Sequence, residues 1–369
     1  RAPPPPAAPP PRRPGAAPPP PAPPPPPPPG GGGAPAGPPP PRRRLLGLVL
    51  ALVVLLALLM LSVMIGSTSI APSVVWDALL NPSAESDQFA IRDFRLPRTV
   101  VGLVVGVALG LSGALIQALI RNPLADPGVL GVHAGASFAV TVAVGLLGVR
   151  DAQGYMGFAF AGALIVTLLV LALGSTRKGS SPVVMVLAGV CVGAVFGGAR
   201  EALQLTDPDA FDAMRYWNVG SITGRPLEVV WPVLPFFAVA LVLAFAVAGP
   251  LNALALGDDV ARAQGVRLAR TRVLAVIALT LLAGGATAIA GPIGFVGLMV
   301  PHVARWIVGP DQRWIFAYSV LLAPSLLLVS DVLGRVVMRP GEIPVGVVTA
   351  FVGAPVLVAL VRRRKASGL

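Results

Sequence analysis

Residues 94–110, "FRLPRTVVGLVVGVALG", set two arginines, Arg95 and Arg98, at the mouth of a long apolar run in which Gly102, Gly106 and Gly110 recur every fourth residue. A continuous apolar run with glycine on one helical stripe reads as a membrane span packed closely against another helix. Charged groups at such a mouth are costly unless they have a partner. Which side of the membrane the two arginines face, and what they pair with, therefore governs how the rest of the chain is read.

The chain around this stretch is 55% hydrophobic and only 12% charged over 369 residues, with a mean hydropathy of +0.79. A soluble domain of this length carries far more charge. Apolar runs close to bilayer-spanning length recur from residue 45 to residue 361, which predicts an all-α polytopic membrane protein. The runs are continuous and do not alternate every second residue, which weighs against a transmembrane barrel. The formal charge of +12 does not point to nucleic acid, because the basic residues sit at span ends and in the tails, where they act as topology signals. Cys191, within an apolar segment, is the one cysteine, which leaves no disulfide framework and no cysteine metal cluster.

Ten spans are predicted, at about 45–65, 99–119, 128–148, 157–174, 182–204, 229–249, 272–290, 295–308, 315–332 and 344–361; the eighth is short. An even count puts both termini on one side. Placing them in the cytoplasm leaves 19 Lys and Arg inside against 9 outside, and 4 acidic residues inside against 12 outside, as the positive-inside rule requires. Arg95 and Arg98 then lie outside, against the charge bias, and need a local reason. Residues 1–44, rich in Pro, Ala, Gly and Arg, are read as a disordered cytoplasmic tail, partly polyproline-II, ahead of a permease domain over 45–365. The chain opens on Arg, so the start of the reading frame stays open. No cleavable signal peptide is read, since the first apolar run is 21 residues long and follows Arg42–Arg44.

A second glycine ladder, Gly189, Gly193 and Gly197, repeats the close-packing pattern. "NPLADPG" (122–128) and "GPIGFVG" (291–297) break helices where protein or water must satisfy the freed backbone groups. They fit a transport pathway and ordinary tight turns equally well.

The catalytic motifs are missing. There is no G-x-x-x-x-G-K-[ST] loop, and the two lysines, Lys178 and Lys365, sit in no phosphate cradle. His133 and His302 have no carboxylate at metal-ligand spacing; packing or a helix-end hydrogen bond is their expected role. Charges deep in the spans are nearly missing, which weighs against a proton- or sodium-coupled carrier. Asp331 is the best candidate for an intramembrane carboxylate. Energy for transport should therefore come from another chain, and no cofactor, metal or catalytic residue is expected in this one.

The longest predicted cytoplasmic loop, 249–272, is amphipathic. Leu251, Leu254, Ala255 and Ala261 can face one way, and Asp258, Asp259, Arg262 and Arg267 the other, with turns at Gly257 and Gly265. Such an elbow suits either a groove on a partner or a bed of lipid headgroups.

Four stretches resemble one family: "RLPRTVVGLVVGVALGLSGALIQALIRNPLADPGVLGVHAGA" (95–136), "LNALALGDDVARAQGV" (251–266), "AGPIGFVGLMVPHVAR" (290–305) and "GEIPVGVVTAFVGAPVLVALVRR" (341–363). They are similar, in order, to the FecCD-type permeases of iron-siderophore and vitamin B12 ABC importers. The resemblance implies a type II importer permease with ten spans, a second permease subunit, and two ATP-binding subunits that hold the nucleotide. It also implies an extracytoplasmic substrate-binding protein docked outside, in a plasma-membrane assembly with no nucleic acid. Ferric siderophore is the cargo it favours, with cobalamin or haem as alternatives; a stand-alone secondary carrier is the rival of another class. The docking residues it implies are Arg95, Arg98 and, within "SDVLGR", Arg335. Gly257, Asp258, Asp259, Ala261, Arg262 and Gly265 carry the match to the ATPase-coupling elbow. Ser180 and Ser181, in "KGSSP", fall in the family's cytoplasmic gate region.

Overall fold

The computed structural model describes residues 40–66, 72–80, 86–149, 151–176, 179–180, 182–206, 212, 215, 217–339 and 341–366. They belong to the second of two units, Pro38–Leu369. Most of the predicted tail, 1–39, lies outside the described residues, whereas Arg42–Arg44, read as its end, already belong to a helix.

Helix α1 runs Pro41–Met64, with proline in its first turn, where a missing N–H costs nothing. Two short helices, α2 (Pro72–Leu80) and α3 (Ser86–Phe89), and a π-helical turn (Ala90–Arg95) lead into α4 (Leu96–Ile120). The short elements lie in the stretch between the first two predicted spans, 45–65 and 99–119. A 3₁₀ turn (Pro127–Leu130) precedes α5 (Val132–Gly145), and α6 spans Ala152–Gly174. A two-residue antiparallel ladder, β1 (Ser175–Thr176) with β2 (Gly179–Ser180), joins α6 to α7 (Pro182–Thr206). Then follow α8 (Leu234–Ala255), α9 (Asp258–Ala263), α10 (Leu268–Ala290), α11 (Val296–Val308), α12 (Gln312–Val337) and α13 (Val345–Ala366).

A helix falls on each of the ten predicted spans. Among the described residues, seven helices are long and apolar enough to cross a membrane, and three shorter apolar ones lie at 132–145, 296–308 and 345–358. The chain is a multi-pass membrane protein. Its hydrophobic runs were read correctly, but the third span is shorter than predicted, Val132–Gly145 against 128–148; at its start Gly131, at φ +76°, ends the 3₁₀ turn before the helix begins.

Helices α4 and α10 are the most buried, while α1 and α7 expose most of their apolar surface, as lipid-facing helices do. α4 packs on α10, α11 and α12. The first glycine ladder faces α12: Gly102 lies against Leu328, Gly106 against the Pro324 backbone, and Gly110 against Ala323 and Ser319. A side chain at Gly106 would overlap main-chain atoms, so the two helices approach as closely as backbones allow. Of the second ladder, Gly189 abuts the Val129 carbonyl, whereas the Cβ position of Gly197 opens onto empty space.

The two helix breaks meet inside the bundle. Gly113 of α4, roughly 25 Å along that helix from Leu96, abuts the Gly297 carbonyl, and Gly297 lies 3.4 Å (from its Cβ position) from Pro127 Cδ. Gln117, 2% exposed, donates through Nε2 to the carbonyls of Leu298 (2.9 Å) and Gly297 (3.4 Å), and its Oε1 accepts from Arg305. This one side chain thus supplies a donor to the Gly297 carbonyl, whose helical partner four residues on is Pro301, without an N–H. Phe295 adopts φ +67° at the head of α11, a conformation bulky residues rarely take.

Candidate functional site

One end of the α4–α12 pair carries a buried charge cluster. The π-helical turn brings Arg95 beneath α1, where Nη1 donates to the carbonyls of Val63 (3.1 Å) and Met64 (2.8 Å). Gly66 permits this, because a Cβ there would come within 2.6 Å of the Arg95 guanidinium. One turn on, Arg98 directs Nε and Nη2 at Asp331 of α12, the shorter contact being 2.7 Å, and Nη1 at Glu342 Oε2 at 2.6 Å. Arg335, one turn beyond Asp331, closes on the same carboxylate and donates to the Ser62 and Ile65 carbonyls at 2.7 and 2.8 Å. Thr99 donates to the Arg95 carbonyl and Ser62 is bonded to Thr99, so the hydroxyls complete the network.

The three arginines expected at a docking surface are thus brought together, but as a latch holding α1, α4 and α12. Arg95 and Arg98 are each 7% exposed, Arg335 2% and Asp331 0%. Bidentate guanidinium–carboxylate geometry of this kind offsets the desolvation of buried charge. Asp331, singled out in the sequence as an intramembrane carboxylate, is the hub. A cavity of about 540 Å³ opens on the cluster, lined by Asp93, Arg95, Arg98, Arg225, Arg335 and Glu342 among others. Arg225 and Glu342 were missed in the sequence. Arg225 reaches Tyr155 Oη at 2.6 Å, and its only local signal is the turn-forming "TGRP" (223–226).

The other end of the same helices carries the elbow. Gly257 (φ +113°) and Gly265 (φ +79°) bracket α9. Ala261 is fully buried against Ala253, Leu254 and Leu268, which is the expected apolar face, except that Ala255 is exposed and Ala253 takes its place. Asp259 and Arg262 are exposed and pair with each other at 2.9 Å. Asp258 turns inward, where it accepts from Arg272 of α10 at 2.6 Å and from Arg121, the left-handed C-cap of α4. Burial alone would raise the Asp258 carboxyl, but hydrogen bonds from Arg272 and Arg121 outweigh it and hold it below the usual carboxylate range. A cavity of about 600 Å³ lies behind this triad, walled by Leu119, Leu168, Met185 and Ile277. Asn252 of α8 adds a second tie: its Nδ2 donates to Asp311 and its Oδ1 accepts from the Gln312 N–H, both at 2.8 Å, at the start of α12.

Of the gate residues, Ser180 pairs with Ser175 in the short ladder, and Ser181 lies outside the described residues. His133 Nδ1 lies 3.0 Å from Thr287 Oγ1. Because that hydroxyl donates to the Ala283 carbonyl at 2.7 Å, the ring must donate to it.

Comparison with known proteins places this geometry in context. A model described as the FecCD transport family matches residues 54–363. The ferric enterobactin transport system permease protein FepD of Escherichia coli (strain K12) is 48% identical over 87% of this chain and 96% of its own length. The iron(3+)-hydroxamate import system permease protein FhuB of Bacillus subtilis (strain 168) is 37% identical over 86% of this chain and 84% of its own. Among solved structures, a metal-chelate type ABC transporter in an inward-facing conformation superposes with a TM-score of 0.77 at 27% identity, covering 86% of this chain and 99% of that one.

Proposed function

This chain belongs to the FecCD transport family, and from that premise we propose that it is the permease subunit of an ABC importer that carries ferric siderophore inward across the plasma membrane. The cargo follows the relatives that share most of its length. A separate pair of ATPase subunits supplies the energy, a second permease subunit completes the pathway, and an extracytoplasmic binding protein delivers the chelate. Both termini lie in the cytoplasm.

One observation carries the mechanistic reading. α4 and α12, packed backbone to backbone, each have one end in the arginine cluster; the other end of α4 is tied to the elbow, and that of α12 to Asn252 of α8, which leads into the elbow. On α4 these are Arg98 and Arg121; on α12 they are Asp331 with Arg335, and Asp311 with Gln312. A helix pair this tightly packed moves as a unit. Force applied by an ATPase at Asp259 and Arg262 would pass through Asp258 and Asn252 to the cluster end, where a binding protein's carboxylates approach the cavity that Arg95, Arg98, Arg225 and Arg335 line. Rigid-body tilting of this kind exchanges inward- and outward-open states. Ser180, in the short ladder between α6 and α7, is the residue we assign to the cytoplasmic gate.

Reconstitution tests the proposal. Proteoliposomes should accumulate radiolabelled ferric siderophore only with ATPase, ATP and binding protein all present. Uptake by this chain alone would contradict it.

A further inference from the structure

We propose that Glu342 is a built-in occupant of the docking site, an internal carboxylate that competes with the partner's and sets how tightly the partner is held. The proposal rests on the reading above that Arg98 receives a partner carboxylate. It adds a residue that the docking role does not itself supply.

Arg98 divides its donors between two acids of different kinds. Nε and Nη2 are committed to Asp331, whose side chain is 1% exposed and is also gripped by Arg335. Nη1 alone points to Glu342, whose side chain is 33% exposed. Displacing Asp331 would strand two buried guanidinium groups; displacing Glu342 would return a carboxylate to water. An arriving carboxylate can therefore reach Arg98 by one route, exchange with Glu342, which leaves the charge of the cluster unchanged.

The surroundings allow that exchange without moving backbone. Glu342 lines both the 540 Å³ cavity over the arginines and a second cavity of about 330 Å³ shared with Ser221, Thr223 and Pro344. Its side chain has empty space on either side. The main chain around it is fixed, since Ile343 N–H donates to the Gly334 carbonyl at 3.1 Å and Gly346 N–H to the Gly220 carbonyl at 3.0 Å. Rotation about the side-chain bonds alone moves the carboxylate from the first cavity toward the second. Asp93 and Arg225, the other charged groups around the first cavity, are left in place. An internal competitor of this kind weakens docking and hastens release, which a permease served by a recycling carrier needs.

The test measures docking of the purified, ferric-siderophore-loaded binding protein that serves this permease onto the permease–ATPase complex in nanodiscs. Glu342→Gln keeps the shape and removes the competing charge. It should tighten docking by roughly threefold to tenfold, the span of a part-exposed charge-assisted bond. Glu342→Asp, one methylene too short to reach Arg98, should tighten it in the same direction. Docking unchanged or weakened in both variants overturns the proposal. Arg98→Gln separates this from failure of the underlying reading. If Arg98→Gln weakens docking while neither Glu342 variant tightens it, the docking role stands and the competitor role falls. If Arg98→Gln folds, by its melting temperature, and docks as wild type, both fall together.

Discussion

Arg98 of α4 and Asp331 of α12, 233 residues apart in the chain, meet through two guanidinium nitrogens, Nη2 at 2.7 Å and Nε at 3.0 Å from the same carboxylate oxygen. Arg335 takes the other oxygen. One aspartate thus neutralises two arginines that flank it on different helices, and the end of the α4–α12 pair depends on it.

Asp331→Ala should accordingly destabilise the permease by roughly 3–5 kcal/mol, because it leaves two buried cations without their shared counter-charge. Thermal unfolding in detergent measures this. Asp331→Asn, which keeps volume and some hydrogen bonding, should lose less. A melting temperature unchanged in Asp331→Ala would remove the hub role.

Gly106→Ala puts a methyl group onto the Pro324 backbone and should cost about 1–3 kcal/mol through forced separation of the helices. Gly198→Ala on exposed α7, with nothing near its Cβ position, is the matched control and should shift stability by less than ~1 kcal/mol. Equal effects from the two would mean that close packing of α4 on α12 is not what stabilises this pair.

Gln117→Leu leaves the Gly297 and Leu298 carbonyls without their side-chain donor and should cost roughly 1–3 kcal/mol. Hydrogen exchange should rise at 296–300 and stay unchanged at 102–106. Uniform loosening along α4 would show instead that Gln117 acts on the whole bundle.

Asp258 supplies a pH dependence. Its carboxyl is held below the ordinary range, so the stability it contributes is fully present above the unfolded value, about 4, and is lost as pH falls through the lower folded value. The wild-type protein should lose stability below about pH 4 more steeply than Asp258→Asn, in which that site carries no titrating group. Parallel pH–stability curves for the two would show that the Arg121–Asp258–Arg272 triad is not formed.

The spans were legible in the sequence because lipid imposes length and hydropathy on any helix that crosses it. Helices accordingly fall on all ten predicted positions, the short eighth included. The foldback of 121–131 and 291–295 was not legible. Proline and glycine mark where a helix ends, but Pro127 meeting Gly297 is decided by packing around α4. The arginines could be named from the sequence, and their burial could not. Their partners Asp331 and Glu342 lie 233 and 244 residues away, and only the antiparallel fit of the Gly102–Gly106–Gly110 ladder on α12 brings these charges together. Arg225 went unnoticed because it stands alone in a turn and becomes part of the cluster only through the cavity it lines.

The account turns most directly on the two ends of α4 and α12 lying across the membrane from each other. With Cys191 replaced by serine, single cysteines at Glu228, exposed near the arginine cluster, and at Arg262, exposed on the elbow, can be probed in intact cells with a membrane-impermeant maleimide. The cysteine at 228 should label from outside, and the one at 262 only after the membrane is opened. Labelling of both from the same side would contradict the account, because the ATPase-facing elbow and the binding-protein-facing cluster could not then serve opposite compartments.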